Sequence, residues 1–165
     1  VSDSYKTDAA TIANLPFSLT SVPMNDLTEV GVLFVSGFGP IVKDPDASSR
    51  FYIDALGLAL EPQAKGVAGY YHSEKLSGVR HFALWPLAAA AHSCFGTGTW
   101  PANVPEPCAW MEFDVKDVAV AAAALKRRGY SLLVDNRQEP WGQTVSRLLS
   151  PEGILVGLVI TPWMR

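Results

Sequence analysis

Residues 108–117 read CAWMEFDVKD, and the alternation is strict: Met111, Phe113 and Val115 fall on one side of an extended chain, Trp110, Glu112 and Asp114 on the other. The first set marks a strand that buries one face. The second set raises a question of use, because a tryptophan and two carboxylates could hold a metal, grip a ligand or simply meet water. Asp117 then stands where a helix N-cap belongs, ahead of VAVAAAALKRRG, which closes at Gly129. Lys126, Arg127 and Arg128 fall in the last turn of that helix, where cations complement its dipole. No larger basic cluster occurs.

The same order of signals lies upstream. EVGVLFVSGFGPIV, residues 29–42, is β-branched, apolar and glycine-bearing, as a buried strand bent at Gly37 and Gly39 would be. Asp44-Pro45 opens a helix with an N-cap followed by proline at the first helical position. Phe51, Ala55 and Leu58 continue its apolar stripe, and Gly57 ends it. Strand-like pieces LALEP, GVAGYYH and VRHFALW follow, the last two joined as a hairpin around Glu74–Gly78. Downstream, YSLLVD, TVSRLL and ILVGLVIT repeat the count, with a tight turn at Ser150-Pro151-Glu152-Gly153. Each half therefore reads strand, Asp-capped helix, three strands, and the two caps lie 73 residues apart. A duplicated βαβββ unit is the simplest account. The expected organisation is an irregular arm over 1–27, a first module over 28–87, a linker rich in proline and glycine over 88–107, and a second module over 108–165.

Bulk properties narrow the function. The chain has 165 residues, 48% of them hydrophobic and 18% charged, which suits one folded domain. A net charge of -3 speaks against nucleic acid as a partner. No apolar run nears the ~18 residues of a membrane span, and VSDSYKTDAATIANLP lacks the layout of a secretory leader, so a cytoplasmic protein is expected. Cys94 and Cys108 match no metal-binding spacing and make no disulfide framework. Neither a nucleophile elbow nor a dinucleotide or phosphate loop occurs.

The landmarks DPDASSRFYIDALGL in the first half, with FDVKDVAVAAAALKRRGY, EPWGQ and LLSPEGILVGLV in the second, resemble the vicinal oxygen chelate superfamily. That superfamily includes glyoxalase I, extradiol dioxygenases and bleomycin-resistance proteins. The resemblance implies an α+β fold in which two βαβββ modules form curled mixed sheets around a cup, with the helices outside. It also implies a homodimer, whose partner subunit the N-terminal arm could wrap. In metal-using relatives, ligands stand seven residues before each capping aspartate and on the closing strand. Here those places hold Gly37, Trp110 and Gly157, none of which has a metal-binding side chain. His81 is the nearest candidate for a fourth position, and His72 is its neighbour across the hairpin.

With the ligand set lost, Trp110 enters the cup while Gly37 and Gly157 clear space for it. Alternation groups His81 with Trp85 on one strand face, and Gln143 with Arg147 on another, with Trp141 at the rim. These residues and Glu112 form the expected ligand-binding set, with no metal, no cofactor and no catalytic residue assigned. The function they suggest is metal-independent binding of a small aromatic or apolar molecule, by resemblance an antibiotic or natural product that is sequestered. Three alternatives stay open: a divergent metal-dependent lyase or dioxygenase, a metal-free lyase or isomerase with Glu112 as its base, and a ligand-free module whose tryptophans fill a collapsed cup. Glu112 and Arg147 would then be a structural ion pair. In every case Asp114 is expected to be wet, and Trp100 and Trp163 to be packing or subunit contacts.

Overall fold

Asp44 and Asp117 each accept a hydrogen bond from the backbone N–H three residues on, Ala47 and Val120, at 2.9 Å. These bonds, seen in a computed structural model that describes residues 29–63 and 66–165, fix where the two outer helices begin. The arm expected over residues 1–27 lies outside the described residues.

The first half comprises β1 (Val32–Val42), α1 (Pro45–Ser49), β2 (Glu61–Pro62), β3 (Tyr71–Ser73) and β4 (Phe82–Pro86). A helix α2 (Leu87–Phe95) connects it to β5 (Ala109–Val115), α3 (Val118–Arg127), β6 (Val134–Gln138), β7 (Thr144–Leu149) and β8 (Leu155–Ile160). A 3₁₀ turn, Pro162–Met164, follows. All eight strands join one curled, unclosed sheet in the order β2-β3-β4-β1-β5-β8-β7-β6. Within each half the first strand runs parallel to the last, and the halves meet at an antiparallel β1–β5 seam. Among the described residues no helix is long and apolar enough to cross a membrane.

Alternation along the strands sorts side chains between two faces. On the convex face α3 covers Val115 and Leu158, while Tyr52 and Ile53 cover Val42 and Leu84. This corrects the stripe read for the first helix. After Ser49 the helix widens into a π-helical turn over Arg50–Ala55, with Leu56 N bonded to Phe51 O at 3.0 Å. The wider turn rotates Tyr52 and Ile53 inward and leaves Phe51 55% exposed.

The connection between the halves holds α2, a helix not foreseen in a stretch read as linker, and it does not lie outside the sheet. Ala90, Ala91 and Cys94 pack with Trp85, Trp110, Val145, Leu155 and Val159, which belong to the concave face. One end of the cup is thereby filled. The strand expected over YSLLVD starts only at Val134 and continues to Gln138, bulging where Asn136 takes a positive φ of 42°.

The closest backbone approach is where β1 meets β4. A Cβ on Gly39 would stand 1.9 Å from the Ala83 carbonyl oxygen, so no side chain fits without parting the strands. Gly39→Ala is expected to cost about 3 kcal/mol or more in a denaturant titration. Gly98→Ala, with nothing within 4 Å of the new methyl, is expected to be near neutral. Equal midpoints for the two variants would refute this account of the β1–β4 contact.

Candidate functional site

The seam register places Gly37 opposite Glu112 and Gly39 opposite Trp110, and β8 places Gly157 on the other side of Glu112. The glycines are occupied by their neighbours. A Cβ on Gly37 would come within 3.0 Å of Trp110 Cη2, and one on Gly157 within 2.8 Å of Glu112 Cγ. Trp110 and Glu112 thus lie in the room that two missing side chains leave. The Trp110 indole donates to the Ala83 carbonyl at 3.3 Å and meets Trp85 edge to face, ring centres 5.8 Å apart.

Below them Arg147 is 1% exposed. Its Nη1 pairs with Glu139 at 2.6 Å, its Nη2 stands 3.5 Å from Glu112 Oε1, and its guanidinium lies 5.4 Å from the Trp85 ring centre. Glu139 also accepts from Arg137 at 2.7 Å and from Ser93 of α2 at 2.9 Å. Gln143 donates to Glu112 Oε2 at 3.2 Å and to Thr161 Oγ1 at 2.8 Å, while its carbonyl accepts the Trp141 indole N–H at 2.7 Å. Burial raises the Glu112 pKa, and the Arg147 charge and Gln143 bond only partly offset it. Burial pushes Glu139 the same way, but there the Arg137 and Arg147 bonds win and its pKa is lowered.

The opposite wall is built of imidazole and phenol. His81 Nε2 is 3.0 Å from the Tyr70 hydroxyl, and His81 Nδ1 is 3.6 Å from Glu74. The His72 ring centre is 5.5 Å from that of His81, and neither Nδ1 atom has a hydrogen-bond partner. Burial, then the charge of His72, lowers the His81 pKa. Burial, then the negative charges of Glu112 and Glu74, raises that of Tyr70.

At the mouth the structure departs from the sequence reading. Asp114, expected to be wet, is fully buried. It accepts from Thr161 N at 2.8 Å and from Arg165 Nε at 2.9 Å and Nη2 at 2.6 Å. Arg80 Nη1 holds the Met164 carbonyl at 2.7 Å. Together these bonds fix the C-terminal turn, and with it Trp163 and Met164 border the cup. Trp163 therefore lines the cavity, whereas Trp100 does pack, edge to face on Phe95 at 5.0 Å.

The remaining cavity is about 390 Å³. Its walls include Trp85, His81, Trp110, Glu112, Trp141, Gln143 and Arg147, all named from the sequence, with Gly37 and Gly157 underlying Trp110 and Glu112. Tyr70, Glu74, Trp163 and Met164 also border it and were not expected in the site, Trp163 having been read as a packing or subunit contact. Tyr70 was within reach of the sequence, since it precedes His72 in the hairpin strand. Trp163 was not, because a chain terminus has no periodicity to place it. Among the described residues no group of three or more His, Cys, Asp or Glu side chains is arranged to hold a metal.

Glu139→Ala would strand the Arg147 cation and is expected to cost about 3–5 kcal/mol, while Ser93→Ala costs about 1 kcal/mol. Chemical denaturation measures both, and a small effect at Glu139 would remove it as the principal counterion. The pH dependence has a definite sign. His81 resists protonation in the fold, so the unfolded chain takes up the proton first, and stability falls as pH drops through 6.5. Melting temperature should decrease from pH 7.5 to 5.5, with a shallower slope in His81→Gln. An unchanged slope would place the acid sensitivity elsewhere.

A model of the Glyoxalase/Bleomycin resistance protein/Dioxygenase superfamily matches residues 38–158. Among solved structures, a member of that superfamily from Vibrio splendidus 12B01 is 14% identical with a TM-score of 0.53, covering 75% of this chain and 96% of that one. A Streptomyces coelicolor methylmalonyl-CoA epimerase in complex with 2-nitronate-propionyl-CoA is 23% identical with a TM-score of 0.51, covering 80% and 99%. At such identities these structures share the fold alone. No curated protein matches.

Proposed function

The chain belongs to the Glyoxalase/Bleomycin resistance protein/Dioxygenase superfamily, and on that premise we propose that its cup binds a small planar aromatic or apolar molecule without a metal ion. The supporting observation is the paired exchange at the seam. Trp110 lies over Gly37, and Glu112 lies over Gly157, where the resemblance would place metal ligands. Glu112, the nearest remaining donor, faces the Arg147 guanidinium and the Gln143 amide, a neighbourhood that repels a cation. The family's metal does not fit these residues.

What the cup offers instead is aromatic surface. Trp85 and Trp110 form its inner wall, while Trp141 and Trp163, about half exposed, stand at its entrance. Stacking contributes about 0.5–1.5 kcal/mol per ring pair beyond the burial of apolar area. A volume of about 390 Å³ suits a molecule of two or three fused rings. The natural ligand in this reading is such a compound, an antibiotic or other natural product among them, held rather than consumed. A second copy of the chain remains part of the proposal, and sedimentation equilibrium would detect it.

The competing reading, a divergent metal-dependent lyase or dioxygenase, draws on His72 and His81 with their unpartnered Nδ1 atoms. Two imidazoles alone make an incomplete coordination set.

Acridine, a neutral planar probe at pH 7.5, should quench the tryptophan fluorescence of protein stripped of metal by chelator. Trp110→Ala should weaken that binding by about tenfold with the fold intact by circular dichroism. Affinity that is unchanged in the variant, or that depends on added divalent metal, would defeat the proposal.

A further inference from the structure

Asp114 is a fully buried carboxylate that lines no part of the cavity, although it follows Glu112 by two residues on the same face of β5. Its two oxygens hold different residues. Oδ2 accepts from Thr161 N at 2.8 Å, while Oδ1 accepts from Arg165 Nε at 2.9 Å and Nη2 at 2.6 Å. Between those two residues lies the turn Pro162–Met164, whose Trp163 and Met164 border the cup. One aspartate thus grips both ends of a short strap. We propose that this strap closes on a bound ligand, with Trp163 as its stacking face and the Asp114–Arg165 pair as its clasp, so that Arg165 sets how long the ligand stays. This rests on the reading that the cup takes a small planar molecule.

The two ends are held unequally. Thr161 is fully buried and is bonded twice, through its N–H to Asp114 and through its hydroxyl to Gln143 at 2.8 Å. Gln143 also donates to Glu112, so this end is continuous with the polar wall of the cup. The other end is held by arginine side chains. Arg165 reaches Asp114 and the Val115 carbonyl, and Arg80 Nη1 donates to the Met164 carbonyl at 2.7 Å. The Arg165 side chain is 34% exposed, whereas that of Asp114 is 0% exposed. Water therefore reaches the clasp from the Arg165 side, and the pivot of the strap is at Thr161. Parting the clasp leaves a buried carboxylate with one backbone N–H for company, which favours the closed form.

Trp163 is uncommitted, unlike the other tryptophans of the cup. Trp110 donates to the Ala83 carbonyl and Trp141 to Gln143. Trp163 is 52% exposed, and among the described residues its ring and its N–H have no partner. A large ring left bare beside an aromatic cavity has apolar surface to bury when a flat molecule lies against it. The clasp orders the chain that carries the ring before the ligand arrives, which lowers the entropy lost on closing. Arg165 touches no ligand in this account. It is a positioning residue, and it acts through Trp163.

A wall that closes after binding governs release more than entry. Acridine bound to the wild-type protein and diluted in a stopped-flow fluorimeter should leave with recovery of tryptophan fluorescence. Arg165→Ala should release it about tenfold faster, with association changed by less than about threefold. Trp163→Ala should release it at least as fast. The double variant should release it no faster than Trp163→Ala alone, because the clasp has no effect without the ring it positions. A merely structural Arg165 would speed release by the same factor with or without Trp163. Should melting curves show that Arg165→Ala does not fold, adding Asp114→Asn removes the stranded charge, keeps an acceptor for Thr161 N and gives the same comparison.

A wild-type release rate in Arg165→Ala or in Trp163→Ala, or effects that multiply in the double variant, would overturn the strap and leave the binding proposal standing. Acridine that fails to quench the wild-type protein would overturn both.

Discussion

A guanidinium buried without counterions would cost the fold several kcal/mol, and the inner half of this molecule is arranged around preventing that at Arg147. Glu139 meets it directly, Glu112 meets it at longer range, and Trp85 presents a ring face. Through Glu139 the same network ties in Arg137 and Ser93, so β6, β7 and the connecting helix α2 are held to one charge. Through Glu112 it reaches β5 and the cavity. The polar wall of the cup and the anchor of the inserted helix are thus parts of a single hydrogen-bonded assembly.

This arrangement reconciles the collapsed and the open cup. The end nearest α2 is dry and filled, with Ala90, Ala91 and Cys94 against Trp85 and Trp110. The other end keeps its cavity, because the side chains that would close it are glycines or are already bonded. Gln143 is tied to three neighbours and Trp110 to the Ala83 carbonyl. A tryptophan fixed by its own N–H presents a rigid wall, which lowers the entropy lost when a flat molecule stacks on it.

Much of this was legible in the sequence, for definite reasons. Asp44 and Asp117 announced both outer helices, since a capping carboxylate acts within three residues and needs no tertiary context. The alternation of residues 108–115 put Trp110 and Glu112 on one face, because the pleat allows no other assignment, and the resemblance made that face the concave one. What failed depended on distant partners. Asp114 looks like a strand-end carboxylate until Arg165 folds back on it, and residues 87–95 look like linker until the concave face supplies an apolar surface for them. The π-helical turn after Ser49 left no local mark, and it rotated Phe51 outward. Trp163 and Met164 joined the site through the same C-terminal bonds that buried Asp114.

The β1–β5 seam also governs when the protein can become itself. Val32 pairs with Val115 and Phe38 with Met111, so the first strand waits for its central partner until most of the chain has been made. Val32, Leu33 and Val35 are still about half exposed in the finished sheet, and before β5 arrives the backbone beside them is an unpaired edge. A ribosome-bound first module therefore presents an apolar strand edge for as long as the second takes to emerge. The meeting of the two halves is a pairing across about 75 residues of chain, the kind of long-range contact that loop-closure entropy makes slow to form.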